Sequence, residues 1–199
     1  MDLIDSYLDE LEVVVRNISR DQVRAVVDVL FEAWHSRRTV FLIGNGGSAA
    51  TASHMMNDLN KYTVVGNMPR FRSIALTDNV PLMTAVGNDL SYADVFVEPL
   101  KNLLQPQDIL IAISASGNSP NIVKAVEFAR TIGARVVGFC GHPGGQLAQL
   151  ADLKIVVPSE RIGHQEDGHM ILDHVISAAL RERIKRQSAA IVSGSQTRH

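Results

Sequence analysis

His54 and Asp58 stand four residues apart, the spacing that puts two side chains on one face of a helix. Far down the chain Glu166, Asp167, His169, Asp173 and His174 fall within nine positions, again in a helical pattern. Imidazoles and carboxylates converging from two helices can move protons, or can hold a divalent metal in a tetrahedral donor set. Glu166 and His174 are eight residues apart and so about 80° apart around an ideal helix, while Asp167 and His174, seven apart, align better. Both acids stay as candidates, because a side chain at the helix start can reach back over a preceding loop. Taken singly, His54 reads as a surface or packing residue, His169 and Asp173 as outlying or solvent-facing groups, and Met55 and Met56 as core filler.

Two further segments suit anion binding. Gly44-Asn45-Gly46-Gly47-Ser48 ends an apolar run and opens a helix, and its glycines leave backbone N–H groups open. Ser114-Ala115-Ser116-Gly117-Asn118-Ser119 does the same after a second run, with Pro120 suited to the first helical turn. Hydroxyls, backbone N–H groups and a helix dipole hold a phosphate without any cation. The first segment also fits the loose dinucleotide pattern Gly44-x-Gly46-x-x-Ala49, which keeps a nicotinamide or flavin oxidoreductase in view. Against it, no acidic residue ends the second strand about 20 residues from the glycines. The P-loop is absent too, since Gly-Lys-Ser and Gly-Lys-Thr do not occur.

Positioning these groups requires a sheet with helices on both faces. Continuous apolar runs at Thr39–Ile43, Ser73–Thr77, Asp108–Ser114, Arg135–Cys140 and Leu153–Val157 read as parallel strands buried on both sides. Helical patterns lie between them at Ser48–Tyr62, Val80–Leu104 in more than one piece, Ser119–Ile132 and Gln146–Leu150. Strand and helix in alternation predict a doubly wound α/β fold in which ligands meet the C-terminal ends of the strands. Two apolar-striped helices precede the first strand: Leu3, Ile4, Tyr7, Leu8, Leu11, Val14 and Val15, then Val23, Val26, Val27, Leu30, Phe31 and Trp34. A final helix spans about His164 to Ile184. We expect a single domain over residues 1–187, with N-terminal helices in 1–36, the α/β body and final helix in 37–187, and a disordered polar tail over 188–199.

With 199 residues, 46% hydrophobic, the chain has material for one core and not for two independent domains. Its 19 basic and 21 acidic residues nearly cancel, so no overall field draws it to nucleic acid or an anionic membrane. No apolar run approaches the ~20 residues of a membrane span. The lone Cys140 closes no internal disulfide, and the start of the chain lacks the pattern of a secretory signal, which makes the cytoplasm the default.

Taken together, Gly44-Asn45-Gly46-Gly47-Ser48, Val86-Gly87-Asn88-Asp89, the serine loop 114–119 and the Glu-Asp-x-His-x4-His stretch from Glu166 to His174 resemble the sugar isomerase (SIS) domain, and within it the phosphoheptose isomerases. The resemblance covers nearly the whole chain. It implies a flavodoxin-like five-stranded parallel sheet, a homotetramer with active sites between subunits, and interconversion of sedoheptulose 7-phosphate and D-glycero-D-manno-heptose 7-phosphate. It implies phosphate ligands at Ser48, Ser114, Ser116 and Ser119, beside Gly46, Gly47 and Ala115 of the same loops, and sugar contacts at Asn45, Asp89 and Glu166. Asp58 falls where the family has its catalytic glutamate, and His174 on the catalytic histidine. Some members bind zinc at positions matching His54, Asp58, Glu166 and His174, one ion per subunit; no nucleotide cofactor is implied. Three departures stand out: Asp58 is a methylene shorter than glutamate, Glu166 stands for a glutamine, and Ala115 for a threonine. A non-catalytic module that binds a sugar phosphate, or a protein partner such as a replication initiator, is the competing reading.

Overall fold

The computed structural model describes residues 2–196, and its element order follows the alternation read from the sequence. Helices α1 (Leu3–Asn17) and α2 (Arg20–His35) lead into β1 (Thr39–Gly44). Asp2 caps α1 by accepting the Asp5 N–H, and Ser19 caps α2 by accepting the Gln22 N–H. Then come α3 (Gly47–Asn57), a π-helical turn (Asp58–Tyr62), β2 (Arg72–Ala75), α4 (Val80–Asp89) and α5 (Val97–Leu103). The chain closes with β3 (Ile109–Ser114), α6 (Pro120–Ile132), β4 (Arg135–Gly141), α7 (Gly145–Leu150), β5 (Leu153–Val157) and the long α8 (Ile162–Gln196).

The five strands are all parallel in the order β2-β1-β3-β4-β5. That order reverses direction between β1 and β3, so the crevice at their C-terminal ends is the switch point where ligands bind in such sheets. Alternation along each strand divides the interior in two. Val40 and Leu42 of β1 join a core built with α2, α3 and α8, and Phe41 and Ile43 join one built with α5, α6 and α7. At the opposite end of the sheet Asp108 is buried, its carboxylate accepting the N–H groups of Thr39 and Gln105 at 2.9 Å each. Among the described residues no helix is long and apolar enough to cross a membrane.

Two differences from the sequence reading concern helix ends. The predicted helix Ser48–Tyr62 changes from α to π at Asp58, where the Thr63 N–H reaches back to the Asp58 carbonyl at 3.1 Å. The last helix continues through 188–196, which the polar composition assigned to a disordered tail; residues 197–199 of that tail lie outside the described residues. Lys185, Arg186, Gln187, Ala189 and Ala190 are good helix formers, so the helix persists without a buried stripe.

Candidate active site

Both loops expected to bind an anion lie at the switch point. In the first, Gly46 adopts φ +53° and leads directly into α3, leaving its first N–H groups facing the crevice. A side chain at Gly44 would sit 2.4 Å from the Ser48 carbonyl oxygen, so the turn closes tightly enough to require glycine there. In the second, the Ser114 Oγ accepts the Gly117 N–H at 3.1 Å and the Ser116 Oγ accepts the Asn118 N–H at 3.2 Å, which leaves each hydroxyl proton free to donate. Ser119 occupies the N-cap of α6 yet makes no capping bond with its side chain. Gly117, at φ +65°, packs against the Gly144 carbonyl, and the loop is pinned from behind by Leu147 N–H to Gly117 O at 2.9 Å.

Side-chain amides join the loops. Asn45 and Asn121 exchange two hydrogen bonds of 2.9 Å, and the Tyr92 hydroxyl donates to Asn45 Oδ1 at 3.0 Å. Asn121 and Tyr92 were not singled out by sequence. The signal for Asn121 was available, since it is a polar residue on the otherwise apolar buried face of α6 with Ile122, Ala125 and Val126. Asp89 is exposed at the end of α4, accepting a bond from its neighbour Asn88; its segment passes the rim of the crevice at Tyr92.

Helix α3 runs from the first loop to the acid and base groups. Its buried side, Ser48, Thr51, Ala52 and Met55, fixes the helix on the sheet and leaves His54 exposed near the C-terminal end. Asp58 starts the π turn, which Leu59 and Thr63 anchor in the interior; such turns recur at functional sites because the extra residue re-aims the chain. From α8, Arg181 lies over the Tyr62 ring, 5.0 Å from its centre, and donates to the Tyr62 carbonyl, clamping the two segments together.

The result is a cluster of His54, Asp58, Asp173 and His174, whose donor atoms all lie within 4.8 Å of one another. The two imidazole Nε2 atoms are 3.3 Å apart, and His54 Nε2 is 3.8 Å from Asp58 Oδ2 and 4.0 Å from Asp173 Oδ2. Three of the four expected zinc donors therefore come together. Glu166 stands outside this group: its carboxylate lies over Gly47, where an added Cβ would be 2.5 Å from Oε1. Asp167 is engaged elsewhere, accepting a 2.6 Å bond from the Tyr7 hydroxyl of α1.

Asp173 and His169 are the main corrections to the side-chain reading, since both are fully buried rather than solvent-facing. Burial, reinforced by the neighbouring Asp58 charge, pushes the Asp173 carboxyl up to about 6, while Ser177, His54 and His174 act in the other direction. Its Oδ2 is buried without a hydrogen-bond partner, an arrangement that favours a cation. His169 stacks on Phe139 beneath the site, and burial pushes its imidazole down to about 4 against the backbone of Cys140. Met55 is buried and Met56 partly so, as core residues.

Comparison with known proteins agrees with this architecture. The family model described as the SIS domain matches residues 6–141. The chain is 32% identical to the phosphoheptose isomerase of Geotalea daltonii over 188 residues, covering 91% of this chain and 95% of that one. It is 40% identical to that of Mycobacterium bovis over 157 residues, 79% and 80% of the two chains. Among solved structures it is similar to the phosphoheptose isomerase of Neisseria gonorrhoeae, with a TM-score of 0.83 at 25% identity over 90% of this chain and 97% of that one. The Francisella tularensis phosphoheptose isomerase gives 0.83 at 27%, over 90% and 96%. With the SIS-domain model matched over residues 6–141 and relatives of 32% and 40% identity matched over most of both chains, the chain belongs to the SIS-domain family and, within it, to the phosphoheptose isomerases.

Proposed function

We propose that the protein isomerises sedoheptulose 7-phosphate to D-glycero-D-manno-heptose 7-phosphate. The observation that carries this is the course of α3, which begins at an anion-binding loop and ends at paired acid and base groups. Ser48 and His54 are six residues apart on that helix, a rise of about 9 Å, which separates a phosphate anchor from a reacting carbonyl on one extended sugar. Ser48, Ser114, Ser116 and Ser119 donate to the phosphate together with the N–H groups of the two helix starts, at Gly46, Gly47 and beside Ala115. Asn45, Asp89 and Glu166 take the sugar hydroxyls, Asn45 with its amide oriented by Asn121.

At the far end, one of Asp58 and His174 removes the proton from the carbon beside the carbonyl, and the other serves the oxygens of the resulting enediol. The enediol is then protonated on the adjacent carbon, so one carbon is oxidised as its neighbour is reduced and no redox cofactor is consumed. Positioned acid–base groups of this kind contribute roughly 10²–10⁴-fold. The unpartnered buried oxygen of Asp173 and the clustered imidazoles suit zinc, with His54, Asp58 and His174 as holders. When bound, the ion supplies Lewis-acid polarisation of the carbonyl.

The reading includes assembly as a homotetramer with sites between subunits, in the cytoplasm where sugar phosphates are made and used. In support, Leu3, Ile4 and Leu8 of α1 are exposed, and an apolar cleft of about 560 Å³ opens between Val15, Val23 and Val27 and the Ile171–Val175 side of α8. The test is to replace Asp58 by Asn and His174 by Asn separately and follow aldose–ketose exchange. Each is expected to lose at least 100-fold in kcat, consistent with the acid–base range; unchanged turnover in both would overturn the mechanism.

A further inference from the structure

The geometry points to Asp173, rather than Glu166, as the fourth protein donor to the divalent ion, with Ser177 as its positioning residue. This rests on the reading that the cluster holds a cation.

Asp173 is fully buried, and its two oxygens are treated differently. Oδ1 accepts the Ser177 hydroxyl at 3.2 Å, while Oδ2 has no hydrogen-bond partner and faces the cluster, 4.0 Å from His54 Nε2. A buried carboxylate oxygen left without a partner is costly, and a cation is the partner that would satisfy it. Zinc bonds of about 2.0–2.1 Å set tetrahedral donors roughly 3.3 Å apart. The two imidazoles already stand at 3.3 Å, and the His54 to Asp58 and His54 to Asp173 separations of 3.8 and 4.0 Å each need to close by less than about 1 Å. Two carboxylates and two neutral imidazoles also balance a divalent charge, which lets the site be partly buried without a net charge.

Glu166 lacks these properties. It precedes Asp173 by seven residues, about 10 Å of helix rise, and its carboxylate rests against Gly47 at the amino end of α3. The donors instead come as two pairs, His54 with Asp58 and Asp173 with His174. Each pair sits on a segment locked into the core, by Met55 and Leu59 in one case and Leu172 and Ile176 in the other. Such anchoring presents the donors with little reorganisation.

The experiment measures zinc binding to chelator-stripped full-length protein by competition with a chromogenic chelator, together with the visible spectrum of the cobalt-substituted protein. Wild type, Asp173→Asn, Glu166→Gln and Ser177→Ala are compared. Asp173→Asn is expected to weaken zinc on the order of 100-fold and to change the cobalt bands, and Ser177→Ala to weaken it about tenfold with the bands retained. Glu166→Gln should stay within about twofold of wild type. Without metal, Asp173→Asn should melt no lower than wild type, because it removes a buried negative charge whose Oδ2 has no hydrogen-bond partner, while its zinc-induced rise in melting temperature shrinks. Zinc affinity unchanged in Asp173→Asn, or lost equally in Glu166→Gln, would overturn the assignment while leaving the cation site itself standing. A wild-type protein that binds no zinc would overturn both.

Discussion

Replacing Gly117 by alanine separates the backbone strain of the serine loop from its packing, because Gly133→Ala, at the C-cap of α6, provides a control. Both glycines hold positive φ, +81° at Gly133 and +65° at Gly117. A Cβ at Gly133 meets nothing within 4 Å, so Gly133→Ala costs the left-handed penalty alone, about 1–2 kcal/mol. A Cβ at Gly117 falls 2.0 Å from the Gly144 carbonyl oxygen, a backbone atom that no rotamer change can move aside. Overpacking of this kind adds about 1–3 kcal/mol, for a total of about 2–5 kcal/mol. In a chain of this length each kcal/mol lowers the melting temperature by roughly 2–4 °C, which predicts a fall of about 2–8 °C for Gly133→Ala and about 4–20 °C for Gly117→Ala. The serine loop must also shift by about 1 Å, enough to cost on the order of 100-fold in a positioned reaction. Thermal melting and the KM for the sugar phosphate read the two consequences separately. If Gly117→Ala melts within 2 °C of Gly133→Ala and keeps its KM within about twofold, the packing argument is wrong.

Further outcomes follow from the same geometry. His169 sits near 4 when folded against ~6.5 when unfolded, so the stability it contributes is complete above pH ~6.5 and is lost as pH falls towards 4, by ~3 kcal/mol. Denaturant titrations at pH 7 and 4.5 should therefore show His169→Leu losing less stability on acidification than wild type; the opposite trend of Asp173 is common to both proteins and cancels, and equal losses would contradict this origin. Asn121→Ala frees the Asn45 amide, and should raise KM several-fold with a smaller change in kcat. Asp108→Ala removes a buried acceptor from the Thr39 and Gln105 N–H groups, at a cost of about 2–4 kcal/mol that chemical denaturation will register, with KM unchanged because the residue lies at the other end of the sheet.

The sheet was legible because parallel strands are buried on both faces and so appear as unbroken apolar runs, as at Val40–Ile43 and Ile109–Ile113. The two loops stood out because glycine and serine follow such runs twice in one sheet, although a tight strand-to-helix turn, as at Gly44, asks for glycine as well. The π turn was not, since the apolar pattern of α3 continues through Leu59 while the hydrogen bonding changes beneath it. Asp173 was misplaced for a related reason. It stands one residue beyond the Leu172, Ile176, Leu180 stripe, on a flank that looks polar in one dimension and is covered in three by α3 and the π turn, which bring His54 and Asp58 to it. Asn121 depends likewise on a partner, Asn45, seventy-six positions away.

Isomerase action on a phosphorylated heptose is tested most directly by incubating the purified zinc-supplied protein with sedoheptulose 7-phosphate in deuterium oxide and following the sugar by NMR. The expected result is D-glycero-D-manno-heptose 7-phosphate carrying solvent deuterium on the carbon beside the carbonyl, formed without nicotinamide and not from unphosphorylated sedoheptulose. Folded protein that yields neither the aldose phosphate nor deuterium exchange would contradict the proposed function.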